Sequence, residues 1–214
     1  MKKSILVIVS IFIALNTMAA DQKYYQEMGA ALGEMSKCSS LSEYQEVANQ
    51  FSTIANVETT EWLPLYYEAQ CYILMSFMEN EGPEAKDAWL DQADISIRKM
   101  LEMAPGESEV FALKAFYHTG RLVVNPPERS QTTAPLVEAA ISKSLKLDSK
   151  NPRAKFMRLS NAIGTARFFG SDISVYCEDA NELLEDWDSF VINSPIHPQW
   201  GKSQVEEIVN SCTK

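Results

Sequence analysis

The sequence predicts an all-α protein built from antiparallel helix hairpins. Apolar residues recur three and four positions apart along most of the chain, which places them on one stripe of a helix. No segment alternates apolar and polar residues over a strand's length; the nearest, Arg121–Val124, runs into two prolines and is better explained as a helix end. Short polar links separate the stripes, and helices joined by short links pack antiparallel.

The apolar stripes define the predicted helices in chain order. Early stripes are Tyr25, Met28, Leu32 and Met35; Leu41, Tyr44, Ala48 and Phe51; Trp62, Leu65, Tyr66, Ala69 and Ile73; then Trp89, Ala93, Ile97 and Met100. Later stripes are Phe111, Ala115 and Leu122, and Ile173, Tyr176, Ala180, Leu183, Leu184 and Trp187. The predicted helices are 22–36, 41–56, 61–79, 84–103, 108–123, 133–147, 152–168, 173–191 and 203–212.

Helix-start signals agree with this division. A serine followed three residues later by glutamate fits a capping box, in which each side chain satisfies a backbone N–H of the other residue. Asparagine or glycine before proline also opens a helix, because the first helical position requires no N–H. These signals stand at Ser40–Glu43, Gly82–Pro83, Asn151–Pro152 and Ser203–Glu206.

The first twenty residues have the composition of a secretory signal peptide. Two lysines precede the apolar run Ile5–Leu15, and two alanines stand at the expected cleavage point. This run is shorter than the roughly 20 apolar residues that a spanning helix needs. We therefore predict a signal peptide at 1–20, an α-helical repeat domain at 21–214, no membrane span after removal of the signal, and a periplasmic or secreted product.

The charge of the chain excludes one class of partner. The formal net charge is −10, and the acidic residues are spread along the sequence rather than gathered in a tail. Such a chain repels a phosphate backbone, so we expect no nucleic acid partner.

Four cysteines are too far apart in sequence to form a CxxC zinc or redox motif. Cys177 lies early in one predicted helix and Cys212 near the end of the next, so an antiparallel pair of helices brings them to the same level. We predict a disulfide between them, because export permits oxidation. The alternative is free thiols on a core face. Cys38 and Cys71 form the remaining pair.

Two segments, Leu101–Phe116 and Leu145–Ser160, share a pattern: a helix ends, a short turn follows, and a new helix starts. This pattern resembles the tetratricopeptide-repeat family, in which a helix hairpin of about 34 residues repeats. Trp62 and Phe111 match the family's early large residue. The resemblance covers about 21–168 and implies a short right-handed solenoid of stacked hairpins, although the spacing here is longer than the family's. The FFG and HPQWG segments that follow resemble exported repeat proteins of Bacteroidota.

The resemblance implies a function as a non-catalytic scaffold that binds a protein or peptide. Inner helices of repeat proteins line a concave face, where aromatic and basic side chains can grip an extended chain. The alternative for each aromatic residue is an ordinary place in the core between helices. The candidate partner-binding residues are Tyr66, Tyr67, Lys114, Tyr117, Arg121 and Arg158.

Neither of the two histidines stands in a pattern typical of catalysis or metal binding. His197 lies in SPIHPQWG, which we interpret as a structural corner where Trp200 is buried and Gly201 permits the turn. There is no HExxH, GxSxG or glycine-rich phosphate loop. We therefore predict no enzyme, no catalytic residue, no metal and no cofactor. The alternatives are a small envelope hydrolase that uses His197 or His118, and a structural envelope component without a discrete ligand.

Overall fold

The computed structural model describes residues 21–192 and 194–212. Over these ranges the chain forms nine α-helices, labelled α1 to α9, and no strand. They are α1 (21–35), α2 (Leu41–Val57), α3 (Leu63–Met78), α4 (Pro83–Met103), α5 (Ser108–Val124), α6 (Pro126–Leu147), α7 (Pro152–Phe168), α8 (Cys177–Asp186) and α9 (Lys202–Cys212), with short 3-10 turns at Ser174–Tyr176 and Trp187–Ser189. The predicted signal peptide lies outside the described residues.

Consecutive helices pack as hairpins, which confirms the predicted all-α class. The most extensive helix contacts are those of α5 with α6, α3 with α4, and α2 with α3. In the described part of the chain, no helix combines the length and the apolar character needed to cross a membrane. The right-handed tetratricopeptide-like arrangement stays a prediction.

The hydrophobic core consists of two clusters that meet near the C-terminus. The first contains the fully buried Phe51 and Tyr66 and is formed mainly by α1 to α5. The second surrounds Met157 and is formed mainly by α6 to α9. Phe116 and Trp200 pack against both clusters and therefore join the two halves of the protein.

α4 begins at Pro83 directly after Gly82, as predicted. Two further predicted helix starts also form as expected. Ser40 accepts a hydrogen bond from the Glu43 backbone N–H at 3.3 Å, and the Glu43 carboxylate accepts one from the Ser40 N–H at 3.0 Å. At the start of α7, the Asn151 side chain accepts from the Ala154 N–H at 2.9 Å, and Pro152 occupies the first helical position. Both signals are local, so sequence alone places them correctly.

The capping box predicted at Ser203 is wrong. α9 begins one residue earlier, and the Gly201 carbonyl accepts the Val205 N–H at 3.1 Å. The Ser203 hydroxyl instead lies 3.1 Å from the Gln204 side-chain oxygen. Gly201 has a φ of 107°, a conformation that favours glycine, and a Cβ at this position would lie 2.9 Å from the Trp187 ring. Packing of Gly201 against Trp187 therefore sets where the helix starts.

Two other predicted helices have the wrong bounds. α6 begins at Pro126 rather than at residue 133, because two prolines occupy its first positions and Arg129 in its first turns binds Asp87 of α4 at 2.5 Å. α8 ends at Asp186 rather than at residue 191, where the chain changes to a 3-10 turn and then extends.

The predicted disulfide between Cys177 and Cys212 is present and joins the start of α8 to the end of α9. Their Cα atoms lie 5.8 Å apart, within the range of roughly 4.4–6.8 Å that a disulfide requires. Cys38 and Cys71 are free thiols, with Cys71 buried.

Candidate ligand-binding cleft

A cleft of about 560 Å³ opens where the α4–α5 and α6–α7 turns meet the segments on either side of residue 193. This volume lies within the roughly 300–1,000 Å³ typical of small-molecule sites. The cleft is lined by 106–109, Leu147, Asp148, 150–153, 187–192, 197–199 and Lys202.

A buried ion pair forms the floor of the cleft. The Arg153 Nε donates to both carboxylate oxygens of Glu109 at 3.1 Å, and the Asn151 amide donates to Glu109 Oε1 at 2.8 Å. Burial raises the pKa of the Glu109 carboxyl, and the Arg153 guanidinium offsets part of that rise. These bonds tie the first turn of α5 to the first turn of α7.

Hydroxyl groups extend this polar floor towards α6. The Ser144 Oγ donates to the Ser108 carbonyl at 2.8 Å, and the Ser108 Oγ lies 2.9 Å from the Ser144 carbonyl. The Asn151 amide also reaches the Ser108 Oγ at 3.0 Å. Because buried polar groups with satisfied partners resist rearrangement, the floor is a rigid support for the cleft.

One wall is the loop that contains His197, and two tyrosines of the hydrophobic core form hydrogen bonds to this loop. The Tyr67 hydroxyl donates to the Ile196 carbonyl at 2.8 Å, and the Trp200 indole N–H donates to the Tyr66 hydroxyl at 2.8 Å. Ile196 itself is buried. These contacts agree with the interpretation of this segment as a structural corner, and they also fix where the corner presents His197.

His197 lines the cleft with a half-buried imidazole. Its ring meets the Trp62 ring edge-on, with centroids 5.7 Å apart, and its backbone N–H donates to the Ser194 carbonyl at 3.0 Å. Neither imidazole nitrogen has a hydrogen-bond partner among residues 21–192 and 194–212. Burial lowers the pKa of His197 below its ordinary value, so the ring is neutral at pH 7.

Exposed apolar side chains also line the cleft. Val191 is 83% exposed and Ile192 is 58% exposed, next to the partly buried Phe190. The Lys155 ammonium lies over the Phe190 ring, 5.1 Å from its centre. Adjacent exposed apolar residues beside a cleft are typical of a ligand-binding surface.

Charges at the rim have both signs. The Lys202 ammonium pairs with Asp188 at 2.6 Å, whereas Lys150 makes no ion pair with the residues that the structure describes. The Asp148 carboxylate accepts the Lys150 backbone N–H at 2.9 Å. Lys150 is therefore the cation at this rim that remains available to an acidic ligand group.

The six predicted partner-binding residues lie outside the lining of the cleft. Tyr66 and Tyr67 are buried one layer behind it, where their hydroxyls hold the His197 loop. Tyr117 is also buried, and its hydroxyl accepts from the Arg121 Nε at 3.1 Å.

The remaining three of these residues are the basic ones. Arg121 binds Asp87 at 2.7 Å and also pairs with Asp91. Lys114 is partly exposed and Arg158 is exposed, on α5 and α7 respectively. The structure therefore brings Tyr117 and Arg121 together and leaves Lys114 and Arg158 accessible to solvent.

The two histidines lie in different cavities. His118 lines a smaller cavity of about 360 Å³, together with Tyr117 and Arg121. Burial lowers the pKa of His118 to about 4, and Lys114 adds to this effect. Over the ranges described, no group of three or more His, Cys, Asp or Glu side chains is placed to hold a metal ion.

Sequence patterns single out His197 but not the other residues that build the cleft. Lys150 and Val191 stand in connections between helices, and no motif distinguishes them from other loop residues. Glu109 and Arg153 open α5 and α7 at corresponding positions, and their opposite charges are the signal that could have predicted a contact.

Comparisons with known proteins give one match. No protein-family model matches the chain, and no curated protein matches it. Among solved structures, the chain is similar to the HusA haemophore from Porphyromonas gingivalis, with a TM-score of 0.76 and 26% sequence identity. The likeness covers 88% of this chain and 92% of that chain, so it extends over nearly the whole of both folds.

Proposed function

We propose that this protein is an exported, non-catalytic binding protein and that its cargo is haem or a closely related tetrapyrrole. The observation that carries the proposal is the cleft that His197 lines together with the exposed apolar residues Val191 and Ile192. The similarity to a haemophore over nearly the whole chain supports the same ligand class.

The residues of the cleft fit the chemistry of a tetrapyrrole. Haem is a flat apolar ring with two carboxylates at one edge. Val191 and Ile192 offer apolar surface to the ring, and Lys150 offers a positive charge to an acid group. The cleft volume of about 560 Å³ suits a ligand of drug size or larger that leaves one edge in solvent.

Export agrees with this function. The signal peptide predicted at 1–20 would direct the chain out of the cytoplasm, and the Cys177–Cys212 disulfide is typical of an oxidising compartment. The similar solved structure comes from a Bacteroidota bacterium, which agrees with the resemblance of the C-terminal segments to exported proteins of that group.

A protein partner is the second candidate, and an exposed aromatic pair favours it. Phe168 is 53% exposed and Phe169 is 74% exposed, at the end of α7 opposite to the cleft. Large exposed aromatic residues are enriched where proteins meet. The predicted contacts Lys114 and Arg158 would belong to such a surface, on a tetratricopeptide-like stack of hairpins.

Titration of the purified protein with haem and with metal-free protoporphyrin, followed by visible absorption, tests the proposed cargo. The double variant Val191→Asp/Ile192→Asp should weaken binding of both compounds, because it places charge against an apolar ring. Val57→Asp is the matched control, since Val57 is 64% exposed at the end of α2 and does not line the cleft. Failure of the wild-type protein to bind either compound, or unchanged binding by the double variant, would refute the proposal.

A further inference from the structure

We propose that His197 ligates the iron of haem in the cleft, so that the protein prefers the iron-bearing tetrapyrrole to the metal-free one. This inference rests on the proposed function and assigns a role within that site to the imidazole of His197. A binding surface made only of apolar contacts would not distinguish the two compounds.

The imidazole of His197 is available for this role. It lines the cleft, and neither of its nitrogens is engaged by another residue of the described chain. A half-buried polar ring that the fold does not use is a candidate for a ligand contact. Burial lowers the pKa of His197, which keeps the ring in the neutral form that binds metals.

The surrounding structure fixes the position of the ring. Pro195 and Pro198 restrict the backbone on both sides of His197, and the Tyr67 hydroxyl holds the intervening Ile196 carbonyl at 2.8 Å. The edge-on contact with Trp62 limits the orientation of the imidazole. A metal-binding side chain that is already held in position loses little conformational entropy when the metal binds.

Only one protein ligand is needed. The tetrapyrrole would supply four nitrogens to its iron, so one side chain of the protein would suffice to bind that iron. The side chains that hold haem iron in proteins are histidine, cysteine, methionine and tyrosine. Among the described residues that line the cleft, His197 is the only one of these four types.

The test compares wild type, His197→Ala and His118→Ala, each titrated with haem and with metal-free protoporphyrin. His197→Ala should reduce haem affinity by about tenfold or more, since loss of even an outer-shell partner of a metal ligand typically costs about 10–100-fold in affinity. It should also shift the main haem absorption band, and free imidazole should restore that band. Affinity for metal-free protoporphyrin should stay unchanged, and His118→Ala should match wild type in every measurement.

Three results would overturn the inference. If wild type binds haem and metal-free protoporphyrin equally and His197→Ala keeps the wild-type spectrum, His197 is not a ligand although the proposed function stands. If a folded His197→Ala variant loses both compounds equally, the ring contributes packing rather than ligation. If wild type binds neither compound, the proposed function itself fails. Far-ultraviolet circular dichroism and the substitution His197→Gln control for misfolding.

Discussion

Trp200 donates its indole N–H to the hydroxyl of Tyr66 at 2.8 Å, which joins two residues 134 positions apart. Tyr66 is fully buried in the first core cluster, and Trp200 packs against both clusters. Together with the bond from the Tyr67 hydroxyl to the Ile196 carbonyl, this contact holds the C-terminal corner to the first core cluster.

Replacing that side chain should destabilise the protein strongly. Trp200 is partly buried, so Trp200→Ala should lower the free energy of unfolding by about 3 kcal/mol, at the lower end of the range for large aromatic truncations. His197→Ala, in the same loop, should cost at most about 1 kcal/mol. Urea unfolding of both variants checks this. Equal stability of Trp200→Ala and wild type would contradict the role of the corner as a structural element.

Removing the disulfide should loosen the wall of the cleft. The bridge spans 35 positions that include Val191 and the His197 loop, and the chain-entropy estimate for a loop of that size is about 3–4 kcal/mol. Cys177→Ser/Cys212→Ser should lower the free energy of unfolding by that amount and weaken ligand affinity. Cys38→Ser, which removes a free thiol, is the control. Alkylation of Cys177 and Cys212 in native, non-reduced protein would show that the bridge does not form.

Removing one partner of the buried ion pair should lower the free energy of unfolding more than replacing both partners with apolar residues. Arg153→Met leaves the Glu109 carboxylate buried without its cation and should cost about 3–5 kcal/mol. The double variant Arg153→Met/Glu109→Leu should recover part of this loss, because no charge then remains buried. Thermal unfolding of the two single variants and the double variant gives the coupling energy. Simple additivity of the two single effects would argue against a coupled pair.

Protonation of His118 should make the protein less stable in mild acid. The folded-state pKa is about 4, against an ordinary value of 6.5, so the unfolded chain binds the proton more readily. The contribution of His118 to stability is therefore fully present above pH 6.5 and is lost as the pH falls towards 4. His118→Gln should flatten the difference in unfolding free energy between pH 7 and pH 4.5 relative to wild type. If His118→Gln keeps the wild-type pH dependence, the loss of stability in acid comes from titratable groups other than His118.

Local patterns in the sequence predict most of the helices, and tertiary contacts explain the differences. The Ser40 capping box and the Asn151 cap involve only residues within one turn, so their sequence signals suffice. The start of α6 depends on a bond between Arg129 and Asp87 across two helices, which no local pattern contains. For this reason the sequence alone predicts a break at the prolines 126 and 127, where the structure has the first turn of α6.

The candidate site was harder to predict than the fold, because four separate segments of the chain meet there. Helical periodicity puts Tyr66 and Tyr67 on an apolar face, but it does not distinguish a core position from a groove. The structure places both rings in the core, one layer behind the cleft. The prolines beside His197 predict a corner, and the structure has one there, but sequence alone does not show that the corner borders a cavity.

The hydrogen bond from Tyr67 to Ile196 spans 129 positions, and this separation has a consequence for export. A chain that crosses a membrane from its N-terminus releases α3 long before it releases the His197 loop. The wall of the cleft can close only after nearly the whole polypeptide has emerged, so a partly translocated precursor has no complete binding site. Any chain that stops before Ile196 therefore lacks one wall of the cleft, because the contact that holds this wall in place cannot form.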